Sequence, residues 1–127
     1  MARILVIDDD RSCGALLTRA LVDEGYAVTC VGNPGEAIRV IDTGWADLLI
    51  ADWALQNHVD GVDLAHHLHA IQPDRPIIFV TGYGRSSLER ASRGLQFHSV
   101  IEKPIDLDDF LRTVRDALGE GSPVSCA

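Results

Sequence analysis

The chain has no apolar run near the ~18 residues that a bilayer-spanning helix needs, so no such helix is expected. It also lacks the basic, apolar and small-residue leader of a secreted precursor, and residence in the cytoplasm is the expectation. Basic residues are in deficit: 11 Lys and Arg stand against 19 Asp and Glu, a formal charge of −8. That balance argues against direct nucleic acid binding by this domain, because domains that grip phosphates carry a basic face. It leaves open a neighbour that binds nucleic acid. Cysteine is sparse as well. Cys13, Cys30 and Cys126 are an odd number at irregular spacing. Neither a zinc framework nor a disulfide scaffold is suggested, and free thiols in a reducing compartment are expected.

What remains has the make-up of a globular domain, 46% apolar and 24% charged. A chain of 127 residues is long enough for one hydrophobic core. One domain is expected over 1–119. Residues 120–127, "EGSPVSCA", lose apolar periodicity and read as a disordered tail or the start of a linker.

Short apolar runs alternate with amphipathic stretches. Residues 3–7, 26–31, 47–51, 76–81 and 96–101 read as strands. Residues 12–24, 34–42, 60–71, 86–93 and 107–118 read as helices, the fourth of them weaker and more polar. Cys13, Leu16, Leu17, Ala20 and Leu21 fall at helical spacing and Gly25 ends that helix. Asn33-Pro34 supplies an N-cap and a first-turn proline. Val62, Leu64, Ala65, Leu68 and Ile71 form the apolar set of the third helix. Five buried strands alternating with five helices predict an α/β fold, a five-stranded parallel sheet doubly wound as (βα)5. In such sheets ligands bind beyond the carboxyl ends of the strands.

Those ends carry a distinctive set of residues. The stretch "ILVIDDD" runs a buried strand into Asp8, Asp9 and Asp10. Strand three ends in Asp52, strand four in Thr81-Gly82, and strand five is followed by Lys103-Pro104. Carboxylates held close repel one another, so one takes up a proton or a cation binds. Oxygen ligands without His or Cys favour a hard cation, Mg²⁺ above all. A carboxylate beside Mg²⁺ can accept a phosphoryl group. The Lys103 ammonium and the Thr81 hydroxyl can then hold the phosphoryl oxygens.

With "VIDDD", "LLIADW", "FVTG" and "IEKP" in this order and spacing, the chain resembles a response-regulator receiver domain, the phospho-acceptor module of two-component signalling. The resemblance covers about residues 2–119. It implies the flavodoxin-like strand order 2-1-3-4-5. It implies that Asp52 is the phospho-acceptor, that Asp9 ligates Mg²⁺ directly and Asp8 mostly through water, and that the Ala54 carbonyl completes the metal shell. Thr81 and Lys103 would hold the phosphoryl group, and Asp10 would serve the start of the first helix. The resemblance further implies a sensor histidine kinase or histidine phosphotransfer protein as donor and a downstream output domain or protein as reader. The face made by the fourth helix, fifth strand and fifth helix would switch, and is a possible homodimer surface. No catalysis beyond self-phosphorylation and dephosphorylation is implied.

Two departures from the family pattern stand out. The loop "DWALQNHVDG" has Gln56 where proline is usual, and one extra residue before Asp60-Gly61. Val100 occupies the position, three before the lysine, where many receivers carry Tyr or Phe. Switching is therefore expected to rely on Thr81 and the loop after it, with Tyr83 screening the phosphoryl group from water. "HHLH" (His66, His67, His69) reads as a solvated helical face, Trp45 as structural, and Trp53 as either packing or a flank of the site. Two rival functions are an Mg²⁺-dependent phosphatase or phosphotransferase with an aspartate nucleophile, and a non-phosphorylated interaction module on the same fold.

Overall fold

The computed structural model describes residues 2–52, 61–82 and 96–119. The expectations for Trp53, Ala54, Gln56, Asp60, Tyr83, the helix at 86–93, Cys126 and the tail at 120–127 lie outside these residues, as does the side chain of Val62. The elements are β1 (Arg3–Ile7), α1 (Arg11–Asp23), β2 (Ala27–Val31), α2 (Pro34–Asp42), β3 (Leu48–Asp52), α3 (Gly61–Ile71), β4 (Ile77–Thr81), β5 (Ser99–Glu102) and α4 (Leu107–Ala117). The five strands pair in parallel in the order β2-β1-β3-β4-β5. No helix among the described residues is long and apolar enough to cross a membrane.

Burial follows from place in the sheet. β3 and β4 are buried at every residue, as continuous apolar runs covered on both faces must be. The edge strands β2 and β5 are only partly covered. Alternation along the strands divides the core in two. Ile4, Val6, Ile50, Ile78 and Val80 point to one face, against Leu17 and Leu21 of α1 and Phe110 and Val114 of α4. Leu5, Ile7, Leu49, Ala51 and Phe79 point to the other, against Ala37 and Ile41 of α2 and Leu64, Ala65 and Leu68 of α3.

Polar caps fix where three helices start. Asp10 accepts from the backbone N–H groups of Ser12 and Cys13, Asn33 from Glu36, and Asp106 from Asp109. Each cap contributes about 1 kcal/mol. Gly25 closes α1 at φ 94, a conformation that side-chain-bearing residues avoid.

Several expected boundaries move. α1 runs over Arg11–Asp23 because Asp10 takes the cap. β5 opens at Ser99, three residues later than expected, although His98 N–H still donates to the Ile77 carbonyl at 2.7 Å. Leu16 and Ile71, read as core-facing, are 49% and 43% exposed. Leu16 sits beside the narrow stripe that Leu17 and Leu21 bury, and Ile71 is the last residue of its helix. His66 is exposed, His67 Nε2 lies 2.7 Å from Asp42 Oδ1, and His69 Nε2 lies 3.3 Å from the Arg75 carbonyl. Trp45 packs against the core with the Arg3 guanidinium 6.0 Å from its ring centre.

β3 begins one residue later than expected because Asp47 turns to Arg3 instead. Asp47 accepts from Arg3 N–H at 2.9 Å, and its carboxylate lies 3.5 Å from Arg3 Nε and 3.7 Å from Arg75 Nη1. Burial works to raise its pKa, but the hydrogen bonds and charge of Arg3, with Arg75, outweigh that and hold it below the usual value. A depressed folded-state pKa gives stability that is present above the unfolded value, near ~3.9, and lost as pH falls through the folded one. Asp47→Asn is expected to lower the urea midpoint at pH 7, by about 1 kcal/mol or less of stability given its partial exposure. Repeating the titration at falling pH should show the gap to wild type closing below ~3.9; a gap constant with pH would refute the ion-pair account.

Candidate functional site

The buried strand β1 does not end its ladder at Ile7. Asp8 N–H donates to the Val31 carbonyl at 3.2 Å, which draws one more residue onto the sheet. Asp8 is consequently only 4% exposed. Its Oδ1 accepts from Asp10 N–H at 2.9 Å, while the Asp10 carboxylate turns away to cap α1. One turn thus separates the roles of three adjacent carboxylates: Asp8 inward, Asp9 at the edge, Asp10 on the helix.

β3 lies directly beside β1 and delivers Asp52, 7% exposed, to the same edge. Asp8, Asp9 and Asp52 each offer a carboxylate oxygen, and these three atoms lie within 4.8 Å of one another. Thr81 ends β4, fully buried, one position past Val80, the register partner of Asp52. Its carbonyl accepts from Lys103 N–H at 2.8 Å, which pins the chain as it leaves β5. The peptide bond from Lys103 to Pro104 is cis. From there the Lys103 side chain reaches back across the edge. Its Nζ donates to Asp52 Oδ2 at 3.2 Å and stands 4.0 Å from Asp8 Oδ2.

Among the described residues, the electrostatics are those of two buried carboxylates sharing one ammonium. Partial burial works to lower the Lys103 pKa. The charges of Asp52 and Asp8 and the hydrogen bond to Asp52 overcome this and hold it above the ordinary lysine value. Lys103 is therefore cationic throughout the neutral range. The donor set is entirely oxygen, which suits a hard divalent cation better than a thiophilic one.

The structure brings together Asp8, Asp9, Asp52 and Lys103, and sets Thr81 on the adjoining strand end; Ala54 lies outside the described residues. Sequence reading overlooked one neighbour. Cys13, in the first turn of α1, faces Asp8, and its thiol pKa is pushed up to about 12 by burial, then by the hydrogen bond and charge of Asp8. The signal available was its helical spacing from the Asp10 cap, which turns that position back over β1. Val100, at the expected switch position, is 9% exposed and packs in the same core cluster as Phe79.

Comparison with known proteins agrees with this geometry. The response regulator receiver domain profile matches residues 4–115. The chain is 31% identical over 124 residues to the transcriptional regulatory protein GlrR of Escherichia coli K12, covering 98% of this chain and 28% of GlrR. It is 31% identical over 118 residues to the response regulator receiver protein CpdR of Brucella abortus, covering 93% of this chain and 98% of CpdR. The crystal structure of a CheY-like receiver domain protein from Methanospirillum hungatei JF-1 superposes with a TM-score of 0.83 at 27% identity, covering 94% of each chain. The chain spans little more than a quarter of GlrR and nearly the whole of CpdR. With four strand-end motifs, the strand order and the profile match in agreement, the chain belongs to the response regulator receiver domain family.

Proposed function

We propose that Asp52 accepts a phosphoryl group from a phosphohistidine presented by a sensor histidine kinase or a histidine phosphotransfer protein. The observation that carries this reading is Lys103 Nζ at 3.2 Å from Asp52 Oδ2, beside three carboxylate oxygens within 4.8 Å of one another. Asp8, Asp9 and Asp52, with the Ala54 carbonyl, would hold Mg²⁺, which when bound neutralises charge on the phosphoryl oxygens. An Asp52 oxygen attacks phosphorus, the bond from phosphorus to the imidazole nitrogen breaks, and the imidazole leaves. Lys103 exchanges its pairing with Asp52 for a pairing with the phosphoryl oxygens, and the Thr81 hydroxyl donates to another. Because Lys103 N–H is tied to the Thr81 carbonyl, movement of one is felt by the other.

The added negative charge biases the face that includes β5 and α4, which an output domain or protein reads. The same face is a possible homodimer surface. Residence is cytoplasmic, where kinase and thiols are both found. The chain turns over no external substrate.

The test is incubation with a small acyl phosphate and Mg²⁺, followed by borohydride reduction and peptide mapping. An aspartyl phosphate at Asp52 is expected to appear as homoserine at that position only, and chelation of Mg²⁺ is expected to prevent it. Reduction at another residue, or uptake unaffected by chelation, would sink the proposal. Rapid hydrolysis of assorted phosphate esters would favour the phosphatase reading instead.

A further inference from the structure

A constellation of hydroxyl, imidazole and carboxylate stands at the opposite end of β5 from Lys103. Ser99 Oγ lies 2.8 Å from His98 Nδ1, and His98 Nε2 lies 2.9 Å from Asp116 Oδ2. The proton positions follow from donor counting. An ionised carboxylate only accepts, so Nε2 carries the hydrogen that points to Asp116. In the neutral ring Nδ1 then holds a lone pair, and the Ser99 hydroxyl must donate to it. Asp116 thereby fixes the one tautomer in which the imidazole acts on the serine as a base.

The frame is firm on one side and open on the other. His98 N–H is anchored to the Ile77 carbonyl at 2.7 Å, and Ser99 begins the ladder of β5. His98, Ser99, Arg112, Thr113 and Asp116 line a recess of about 270 Å³, room for a small acyl group. Arg112 brings a guanidinium to that recess. The phosphoryl chemistry proposed at Asp52 uses none of these groups.

We propose that Ser99 is a nucleophilic hydroxyl that accepts an acyl group from a small activated carbonyl donor, a thioester or an acyl phosphate. Ser99 Oγ attacks the carbonyl carbon while its proton passes to His98 Nδ1. Asp116 stabilises the resulting imidazolium as a positioning residue. The bond from carbon to the leaving group breaks, and the departing thiolate or phosphate takes the proton from Nδ1. The products are an ester on Ser99 and the free thiol or phosphate. The ester can no longer donate to His98, so acylation breaks the chain of bonds that joins the start of β5 to the end of α4.

The probe is p-nitrophenyl acetate with the full chain, read by p-nitrophenol release and peptide mass mapping. Acetylation is expected at Ser99, and absent there in Ser99→Ala. A positioned general base is worth ~10²–10⁴ in enzymes. Asp116 is 75% exposed and supports the imidazole weakly, so a drop of about tenfold, below that range, is expected in His98→Gln. Asp116→Asn should slow labelling and Asp116→Glu should restore it, with the far-UV circular dichroism spectrum and phosphoryl uptake at Asp52 unchanged in all variants. A serine-directed fluorophosphonate supplies a second measurement on the unaltered chain and should also map to Ser99. Absence of either label from Ser99, or labelling indifferent to His98→Gln, overturns the proposal and leaves a hydrogen-bonded clasp.

Discussion

Asp52→Asn is expected to take up no phosphoryl group from an acyl phosphate and yet to melt higher than the parent chain in metal-free buffer. The first half follows from chemistry: a carboxamide is too poor a nucleophile to replace the attacking oxygen. The second follows from the site's charge. Asp8 and Asp52 are 4% and 7% exposed, Asp9 lies at the same edge, and among the described residues one ammonium faces them. Removing a buried charge that has more like neighbours than opposite ones among the described residues relieves both repulsion and desolvation. Neutralising such a site is worth about 1–2 kcal/mol, toward the lower part of the range seen when buried ionic groups are replaced. Millimolar Mg²⁺ should then raise the melting temperature of the parent chain more than that of Asp52→Asn, because the proposed site would hold the cation on the folded state through the carboxylate that was removed. Thermal melts of both proteins with and without Mg²⁺ decide it. A variant less stable than its parent in chelator would show that the Lys103 pairing outweighs the repulsion.

Phe79→Ala is expected to cost about 3–5 kcal/mol, the range for emptying a buried aromatic position. Phe79 is fully buried in the interior strand β4, paired in register with Ala51 of β3 and Val100 of β5. Phe97 meets its ring edge-on, with centres 5.3 Å apart at 75°. That geometry adds about 0.5–1.5 kcal/mol beyond area burial. Ala51 and Val100 are too small to fill the gap, and strands bonded on both sides of β4 hold the backbone in place. Since domains of this size have only about 5–15 kcal/mol in total, the loss should be plain in a urea titration. A cost under ~1 kcal/mol would mean that the core can collapse around the missing ring.

The fold was legible because the interior strands leave little choice. "ILVI", "LLIA" and "IIFV" are too short for helices and too apolar for loops, and each runs into a residue with evident chemistry. The site was legible for the same reason: topology alone carries Asp8, Asp9, Asp52, Thr81 and Lys103 to one edge. Side-chain direction was harder to read. Spacing could not tell that Leu16 faces solvent, because it stands a single residue from the stripe that Leu17 buries. Nor could it place Cys13 against Asp8, or see that Asp47 would leave β3 to meet Arg3; these depend on where a helix docks and on partners 44 residues away. The clasp of His98 with Asp116 was illegible because it joins a strand end to a helix end whose separation only the assembled sheet determines.

The ammonium that faces Asp52 stands 51 residues further along the chain. A polypeptide made from its amino end therefore presents the acidic pair of β1 and β3 well before the lysine that balances them emerges. Until β5 joins the sheet, that edge lacks the ammonium that faces it in the folded chain. Completion of the last strand supplies it, so the charge balance of the edge is among the last things the order of synthesis puts in place.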